Sequence, residues 1–166
     1  MKNIKVGISA CLVGEVVRYN GGHKRDDALL EALGSLVELV PVCPEFEAGF
    51  GVPREAVQLV GDPNRPRLVT VETRVDLTEI MDRWIKRRLD ELEGEGLRGF
   101  ILKARSPSCA LSALSVHDES GFPTATGTGL FVRALKLRFP ALPLADEEML
   151  QDVRLRKEFL EMCVTE

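Results

Sequence analysis

The sequence has four cysteines but no two of them close together, and it has no long apolar run. A closed structural zinc site takes four ligands, often in closely spaced pairs, so this class of site is not indicated. No apolar run approaches the roughly 18 residues that a membrane span needs. The N-terminal stretch MKNIKVGISACLVG also lacks the apolar core of a signal peptide. We therefore expect a cytoplasmic protein without a membrane partner, in which disulfides are rare.

Positive charge is scarce as well. Lys and Arg number 22 against 26 Asp and Glu, which gives a net charge of −4. This balance argues against duplex nucleic acid or an anionic membrane as the main partner, although a local basic pocket for a small anion stays compatible with it. No repeat, low-complexity tract or linker interrupts the chain, and 166 residues suit one domain, 1–166, with its own core.

Short apolar runs alternate with helical patterns, which is typical of an α/β domain with a mainly parallel sheet. The predicted strands are Ile4–Ser9, Leu36–Val42, Arg67–Glu72, Gly99–Lys103 and a short run near Leu142–Leu144. The predicted helices are Asp26–Leu33, a long helix from the cap Asp76 to a stop at Gly94, Gly129–Arg138 and Asp146–Met162. Pro41 marks its strand as a strand end or sheet edge. We predict a Rossmann-like three-layer fold with its site at the C-terminal edge of the strands.

Three of the cysteines follow predicted strands. Cys11, Cys43 and Cys109 each lie in a polar, turn-rich setting (CLVGE, CPE and SPSC), which disfavours the alternative that they are small core residues. Because parallel strands all end at one edge of a sheet, we expect these three thiols to converge. Cys163 instead continues the apolar face of the last helix and is predicted to be a core residue.

Three converging thiolates suit a soft metal, either zinc or an iron–sulfur cluster. An incomplete protein shell leaves an open coordination position, and open positions perform chemistry on a substrate. The residues alone leave the choice between the two metals open.

The three cysteines stand in long motifs, SACLVGEVVRYNGGHK (9–24), CPEFEAGFGVPREAVQL (43–59) and LKARSPSC (102–109). In this order the motifs resemble the family catalogued as domain of unknown function 523, whose studied members are TudS-like 2-thiouracil desulfidases. The similarity runs over essentially the whole chain. It implies a [4Fe–4S] cluster held by Cys11, Cys43 and Cys109, with one open iron for the sulfur of a thiolated pyrimidine or nucleoside. It also implies a non-redox reaction, in which sulfur passes to the open iron and water supplies the replacing oxygen.

The resemblance also implies roles for residues around the thiols. Glu45 and Ser106 match positions with catalytic proton-transfer and substrate-orienting roles. Attack of water on a thiolated carbon needs a general base, and Glu45 stands two residues after a ligand. Simpler alternatives are a solvated carboxylate for Glu45 and a turn-capping hydroxyl for Ser106. Four further residues are predicted to bind the substrate: Arg18, Tyr19, Ser108 and Lys103. For Arg18, an ion pair with Glu45 is the alternative.

Two other functions fit the same thiols. A zinc-dependent hydrolase or deaminase-like enzyme would use them with a bound water, although the H-x-E and P-C-x-x-C signature of zinc deaminases is absent. A non-catalytic, cluster-binding redox sensor would use the cluster without turnover. A separate feature, Gly127-Thr-Gly129 before a helix, is either a tight loop or an anion-binding helix N-terminus.

Overall fold

A computed structural model describes residues 4–165 and has a mixed α/β architecture. Its strands, in chain order, are Ile4–Ser9 (β1), Val37–Val42 (β2), Val57–Val60 (β3), Arg67–Thr70 (β4), Phe100–Leu102 (β5), Leu114–His117 (β6), Pro123–Gly127 (β7) and Leu144–Asp146 (β8). Its helices are Asp27–Leu33 (α1), Pro44–Glu47 (α2), Thr78–Glu95 (α3), Leu130–Arg138 (α4) and Val153–Val164 (α5). Short 3₁₀ turns occupy Ala10–Val13 and Met149–Gln151.

Four of the strands form a parallel sheet in the order β2-β1-β5-β8. The predicted α/β class with a mainly parallel sheet is confirmed. Pro41 lies in β2 at the edge of this sheet, where a residue without an N–H group costs no ladder hydrogen bond on the open side. The sequence-based expectation for Pro41 is therefore confirmed too.

A second sheet, in the order β4-β3-β6-β7, was largely missed by the sequence prediction. Its central pair β3–β6 is parallel, whereas β3–β4 and β6–β7 are antiparallel. Only β4 was predicted as a strand. β6 buries a single residue fully and β7, with the sequence PTATG, is half exposed, so neither has an apolar pattern strong enough to indicate a strand. β3 has the apolar sequence VQLV, but its four residues are too short a run to be told apart from other short apolar segments.

Helices cover both faces of the parallel sheet. On one face, Ile8 and Ile101 pack with α1 and α5. On the other, Phe100 and Leu102 pack with α3, α4 and the inner side of the second sheet. Consecutive residues of β5 divide between the two cores because successive side chains of a strand point to opposite faces. A Cβ at Gly7 would lie 2.3 Å from the Phe100 ring, so this glycine provides the space that Phe100 fills.

Most helix boundaries lie within one or two residues of the prediction. The N-cap of α3 is Leu77, one residue after the predicted cap Asp76, whose Oδ1 accepts from the Thr78 N–H. The long helix α3 continues through Gly94 to Glu95 and ends at Gly96, which has a left-handed φ of 69°. The predicted helix over Asp146–Met162 is wrong at its start, because Asp146 is the last residue of strand β8 and α5 begins only at Val153. Asp152 then accepts hydrogen bonds from the N–H groups of Arg154 and Leu155 and caps α5 as a new helix.

Cys163 is 1% exposed in the core between α5 and the parallel sheet, which confirms its predicted structural role. No helix described in residues 4–165 combines the length and the apolar character needed to cross a membrane. The predicted single domain over 1–166 stays a prediction, and its residues 1–3 and 166 lie outside the described part.

Candidate functional site

The site lies at the C-terminal ends of three neighbouring parallel strands, β2, β1 and β5. A cavity of about 370 Å³ opens there, and Cys11, Cys43 and Cys109 all line it. This volume falls in the range of small-molecule sites, about 300–1,000 Å³. The three thiols are free, and the structure brings them together as strand-end positions in a parallel sheet require.

Cys11 is held by the 3₁₀ turn that follows β1. Its carbonyl accepts hydrogen bonds from the N–H groups of Lys24, at 2.9 Å, and Gly14, at 3.3 Å. The long glycine-containing loop after Cys11 is therefore fastened back onto the turn that carries Cys11. Burial raises the pKa of the Cys11 thiol, and the positive charges of Lys103 and Arg18 partly oppose this shift.

Cys43 stands at the start of the short helix α2. Its N–H donates to the Glu47 carboxylate at 2.7 Å, and the Phe46 N–H is directed at its sulfur. Burial raises the pKa of the Cys43 thiol to about 11. The free thiol is thus neutral near pH 7, and a metal that takes a thiolate here must displace its proton.

Cys109 lies in the loop that leaves β5. The Ser106 Oγ accepts hydrogen bonds from the N–H groups of Ser108, at 3.2 Å, and Cys109, at 3.1 Å, so it fixes the turn around Pro107. Burial raises the pKa of the Cys109 thiol, and a hydrogen bond from the Ser9 hydroxyl lowers it in part. Ser9 also accepts from the Lys103 N–H at 2.9 Å, which links the ends of β1 and β5.

The N-terminus of α4 packs directly on the Cys109 loop. The N–H groups of Phe131 and Val132 donate to the Ser108 carbonyl, and that of Leu130 donates to the Pro107 carbonyl. These are the free N–H groups that a bound anion would otherwise take. The tight-loop interpretation of Gly127-Thr-Gly129 therefore holds, because the loop's own carbonyls occupy this helix end.

Gly129 makes this close packing possible, and we expect its replacement to be costly. A Cβ there would lie 2.4 Å from the Ser108 carbonyl atoms. We expect Gly129→Ala to lower the free energy of unfolding by about 1–3 kcal/mol, as overpacking does, measured by urea denaturation of the cluster-free protein. Gly94→Ala is the control, since its Cβ meets nothing within 4 Å inside α3 and is expected to add up to about 1 kcal/mol of stability. Equal stability of the Gly129→Ala and wild-type proteins would show that the loop adjusts freely.

Glu45 lies in the cavity wall and is held at both carboxylate oxygens. Its Oε2 accepts from the Ser108 hydroxyl at 3.1 Å, and its Oε1 lies 3.4 Å from the Arg54 Nε. Among the described residues that line the cavity, Glu45 is the one carboxylate. The alternative of a solvated loop carboxylate is wrong, because the Glu45 side chain is only 13% exposed. Pairing of Glu45 with Arg18 is wrong as well, since Arg54 takes that place.

The other predicted substrate-binding residues take different positions. Arg18 and Tyr19 line the cavity, with the Arg18 guanidinium 5.7 Å from the centre of the Tyr19 ring. Lys103 also lines it, but its ammonium group pairs with the Glu147 carboxylate at 2.6 Å. Ser106 contributes to the wall, whereas Ser108 is fully buried behind Glu45 and outside the cavity lining of the described residues. Ser108 is thus placed to hold Glu45 and not to contact a substrate.

Sequence reasoning missed three residues that organise the site, Ser9, Arg54 and Glu147. Glu147 is 7% exposed and accepts from the Ala104 N–H at 2.8 Å, besides its pairing with Lys103. Ser9 and Arg54 stand inside the quoted cysteine motifs, which was the available signal for them. Glu147 lies 43 residues or more from its partners and had no comparable signal.

The donor set at the cavity consists of three soft thiols. Within residues 4–165, no three Cys, His, Asp or Glu side chains are grouped as one metal ion requires. A tetrahedral zinc ion, with Zn–S bonds of about 2.3 Å, would place its sulfur ligands within about 4 Å of one another. Three soft thiols around one cavity are also the donors that an iron–sulfur cluster takes, so the donor set by itself is compatible with both metals.

Fold and site together define an α/β protein with a cysteine-lined cavity at its strand ends. The chain belongs to the 2-thiouracil desulfurase family, whose sequence profile matches residues 6–147. The uncharacterized protein YbbK of Bacillus subtilis strain 168 is 31% identical over 137 residues, which cover 78% of this chain and 87% of YbbK. A solved structure of the [4Fe–4S]-dependent thiouracil desulfidase TudS aligns with a TM-score of 0.70 and 28% identity, over 94% of this chain and 99% of TudS. The resemblance seen in the three cysteine motifs is confirmed.

Proposed function

We propose that this protein is a [4Fe–4S]-dependent desulfidase that converts a thiolated pyrimidine base or nucleoside into its oxo counterpart. The observation that carries the proposal is the meeting of Cys11, Cys43 and Cys109 at one cavity whose wall contains the carboxylate of Glu45. Membership of the 2-thiouracil desulfurase family and the similarity to TudS support it.

In this proposal the three cysteines hold the cluster. Each supplies one thiolate, which leaves one of the four irons without a protein ligand. When bound, such a cluster supplies a soft Lewis acid with a free position for the sulfur of a thiocarbonyl group. The thiols are desolvated in the free protein, so cluster binding releases their protons.

The overall reaction exchanges one atom without a change of oxidation state. A thiocarbonyl and water give a carbonyl and hydrogen sulfide, so the oxygen of water replaces the sulfur and both of its protons leave with sulfide. No electron donor or acceptor is consumed. The chain must therefore supply proton transfer, orientation and a cavity that limits access of other nucleophiles.

Glu45 is the proposed proton-transfer residue. It is the carboxylate in the wall of the cavity, and a fixed carboxylate can take a proton from the attacking water and return it to a leaving group. In the turn the Ser106 oxygen only accepts hydrogen bonds, from the N–H groups of Ser108 and Cys109. Its O–H group can therefore donate to a ring atom of the substrate.

Arg18, Tyr19 and Lys103 are proposed to receive the rest of the substrate. The exposed Tyr19 ring offers an aromatic face for a pyrimidine at the edge of the cavity. Arg18 can donate to a ring carbonyl. Lys103 keeps its pairing with Glu147 and contributes positive charge near Cys11.

Turnover by the anaerobically purified and reconstituted protein tests the proposal. We expect about four irons and about four sulfides per chain, with brown colour. We also expect loss of thione absorbance and release of sulfide when 2-thiouracil or 4-thiouridine is added. The same protein stripped of iron by a chelator is the control and should leave both compounds unchanged.

Three results would count against the proposal. Colourless protein after reconstitution would show that the chain does not bind the proposed cluster. Zinc near one per chain without sulfide would favour the zinc hydrolase alternative. A stable cluster with no consumption of either compound would favour a redox sensor.

A further inference from the structure

Arg54 lies in the cavity wall beside Glu45 and is almost entirely enclosed. Its side chain is 7% exposed, and its Nε points toward Glu45 Oε1 at 3.4 Å. Its Nη1 donates to the Gly51 carbonyl at 2.9 Å, which fixes the plane of the guanidinium. Its guanidinium therefore places a positive charge and a planar fork of donors inside the wall.

The carboxylate of Glu45 is therefore held from two sides. Arg54 contacts one oxygen, and the buried Ser108 hydroxyl donates to the other at 3.1 Å. A glutamate side chain has three rotatable bonds, and contacts to both oxygens restrict all of them. The two contacts come from separate segments, since Arg54 lies in the loop after α2 and Ser108 lies in the loop after β5.

We propose that Arg54 is a positioning residue for the desulfuration reaction, which holds the Glu45 carboxylate toward the cavity in the orientation that proton transfer requires. This inference rests on the proposed function. Arg54 acts through Glu45, so its loss lowers turnover without removing the cluster ligands.

The backbone of Arg54 has a separate structural role that a side-chain substitution leaves intact. Its N–H donates to the Tyr19 carbonyl at 2.7 Å and fastens the loop after Cys11 to the loop after α2. Arg54→Gln and Arg54→Lys both retain this bond. Differences between these variants and the wild type therefore report on the guanidinium.

Steady-state kinetics of the reconstituted proteins test the proposal. For Arg54→Gln we expect full iron content and a KM within about threefold of wild type. We expect kcat to fall about 10–100-fold, which is less than the roughly 10²–10⁴-fold contribution of an acid–base group itself. Arg54→Lys should recover part of the loss, because it keeps the charge but not the planar fork. The double variant Arg54→Gln/Glu45→Gln should be no slower than Glu45→Gln within about twofold, since the two residues act as one unit.

A multiplicative loss in the double variant would overturn the proposal, because Arg54 would then act independently of Glu45. A raised KM with unchanged kcat would also overturn it and would make Arg54 a substrate contact. Arg138→Gln is the matched control. Arg138 pairs with Asp90 and Glu93 of α3, on the surface and outside the cavity lining, and its loss should leave kcat unchanged.

Crystal structures of the anaerobic wild-type and Arg54→Gln proteins give a readout that does not depend on activity. We expect the Glu45 carboxylate to leave the Ser108 hydroxyl or to occupy several conformers in the variant. An unchanged, single Glu45 conformer would overturn the positioning role even if kcat fell. If the wild-type protein consumes no thiolated substrate, the proposed function fails, while these structures still decide whether Arg54 holds Glu45.

Discussion

Cys109→Ala protein is expected to lose most of its iron and its turnover of 2-thiouracil. Cys109 is 4% exposed, and its loop is fixed by Ser106 and by the N-terminus of α4. The fourth cysteine, Cys163, lies in the core away from the cavity and is not placed to replace it. Replacing a partner that only orients a ligand already costs about 10–100-fold in metal affinity, and we expect loss of the ligand itself to cost more. Iron and sulfide content after anaerobic reconstitution, together with the visible absorbance of the cluster, measures the effect.

Cys163→Ala is the matched control for this experiment. It also removes a buried thiol, but one that packs in the core beside Gly99 and Phe159, away from the cavity. We expect it to lower the free energy of unfolding by about 1 kcal/mol and to leave iron content and turnover at the wild-type level. Wild-type iron content in Cys109→Ala, or loss of iron in Cys163→Ala, would show that the proposed set of ligands is wrong.

Glu45→Gln is expected to lower kcat by about 10²–10⁴-fold, the usual contribution of an acid–base group, while the iron content stays at the wild-type level. The amide has nearly the shape of the carboxylate, and its oxygen can still accept from the Ser108 hydroxyl. It cannot take up a proton from water at neutral pH. The measurement is kcat for 2-thiouracil at matched iron content.

Two controls accompany Glu45→Gln. Glu158→Gln removes a carboxylate from the surface of α5, where its pair with Arg154 is 3.8 Å long and exposed, and should leave turnover unchanged. Ser108→Ala removes one of the two contacts that hold Glu45, and we expect a smaller loss of kcat than for Glu45→Gln. A kcat of Glu45→Gln within about twofold of wild type would show that Glu45 does not transfer protons and only balances the charge of Arg54. Loss of an acid–base group lowers the rate much more than twofold.

The convergence of the three thiols could be predicted because each depends on local sequence. The runs around Ile4–Ser9 and Gly99–Lys103 have the apolar character of buried parallel strands, and the cysteines follow them. Once the strands are parallel, their ends share one edge of the sheet. The predicted boundaries differ from the observed strands by one or two residues, which does not alter the edge on which the cysteines lie.

The division of work between Ser106 and Ser108 could not be predicted in the same way. Both flank Pro107 and look equivalent in the sequence. In the structure Arg105 adopts a left-handed φ of 63°, and the turn that follows directs Ser106 to the cavity wall and Ser108 into the interior against Glu45. The choice between them depends on how the loop packs under α4.

The sequence by itself determined the α/β class, the edge position of Cys11, Cys43 and Cys109, and the family to which their motifs belong. These features follow from periodicity and from motifs within single segments. Only the tertiary structure decided that a second sheet completes the core, that Arg54 and not Arg18 pairs with Glu45, and that the N-terminus of α4 closes on the Cys109 loop. The physical reason is that such pairings join distant segments, and packing selects among several charged or polar partners that are equally suitable in the sequence.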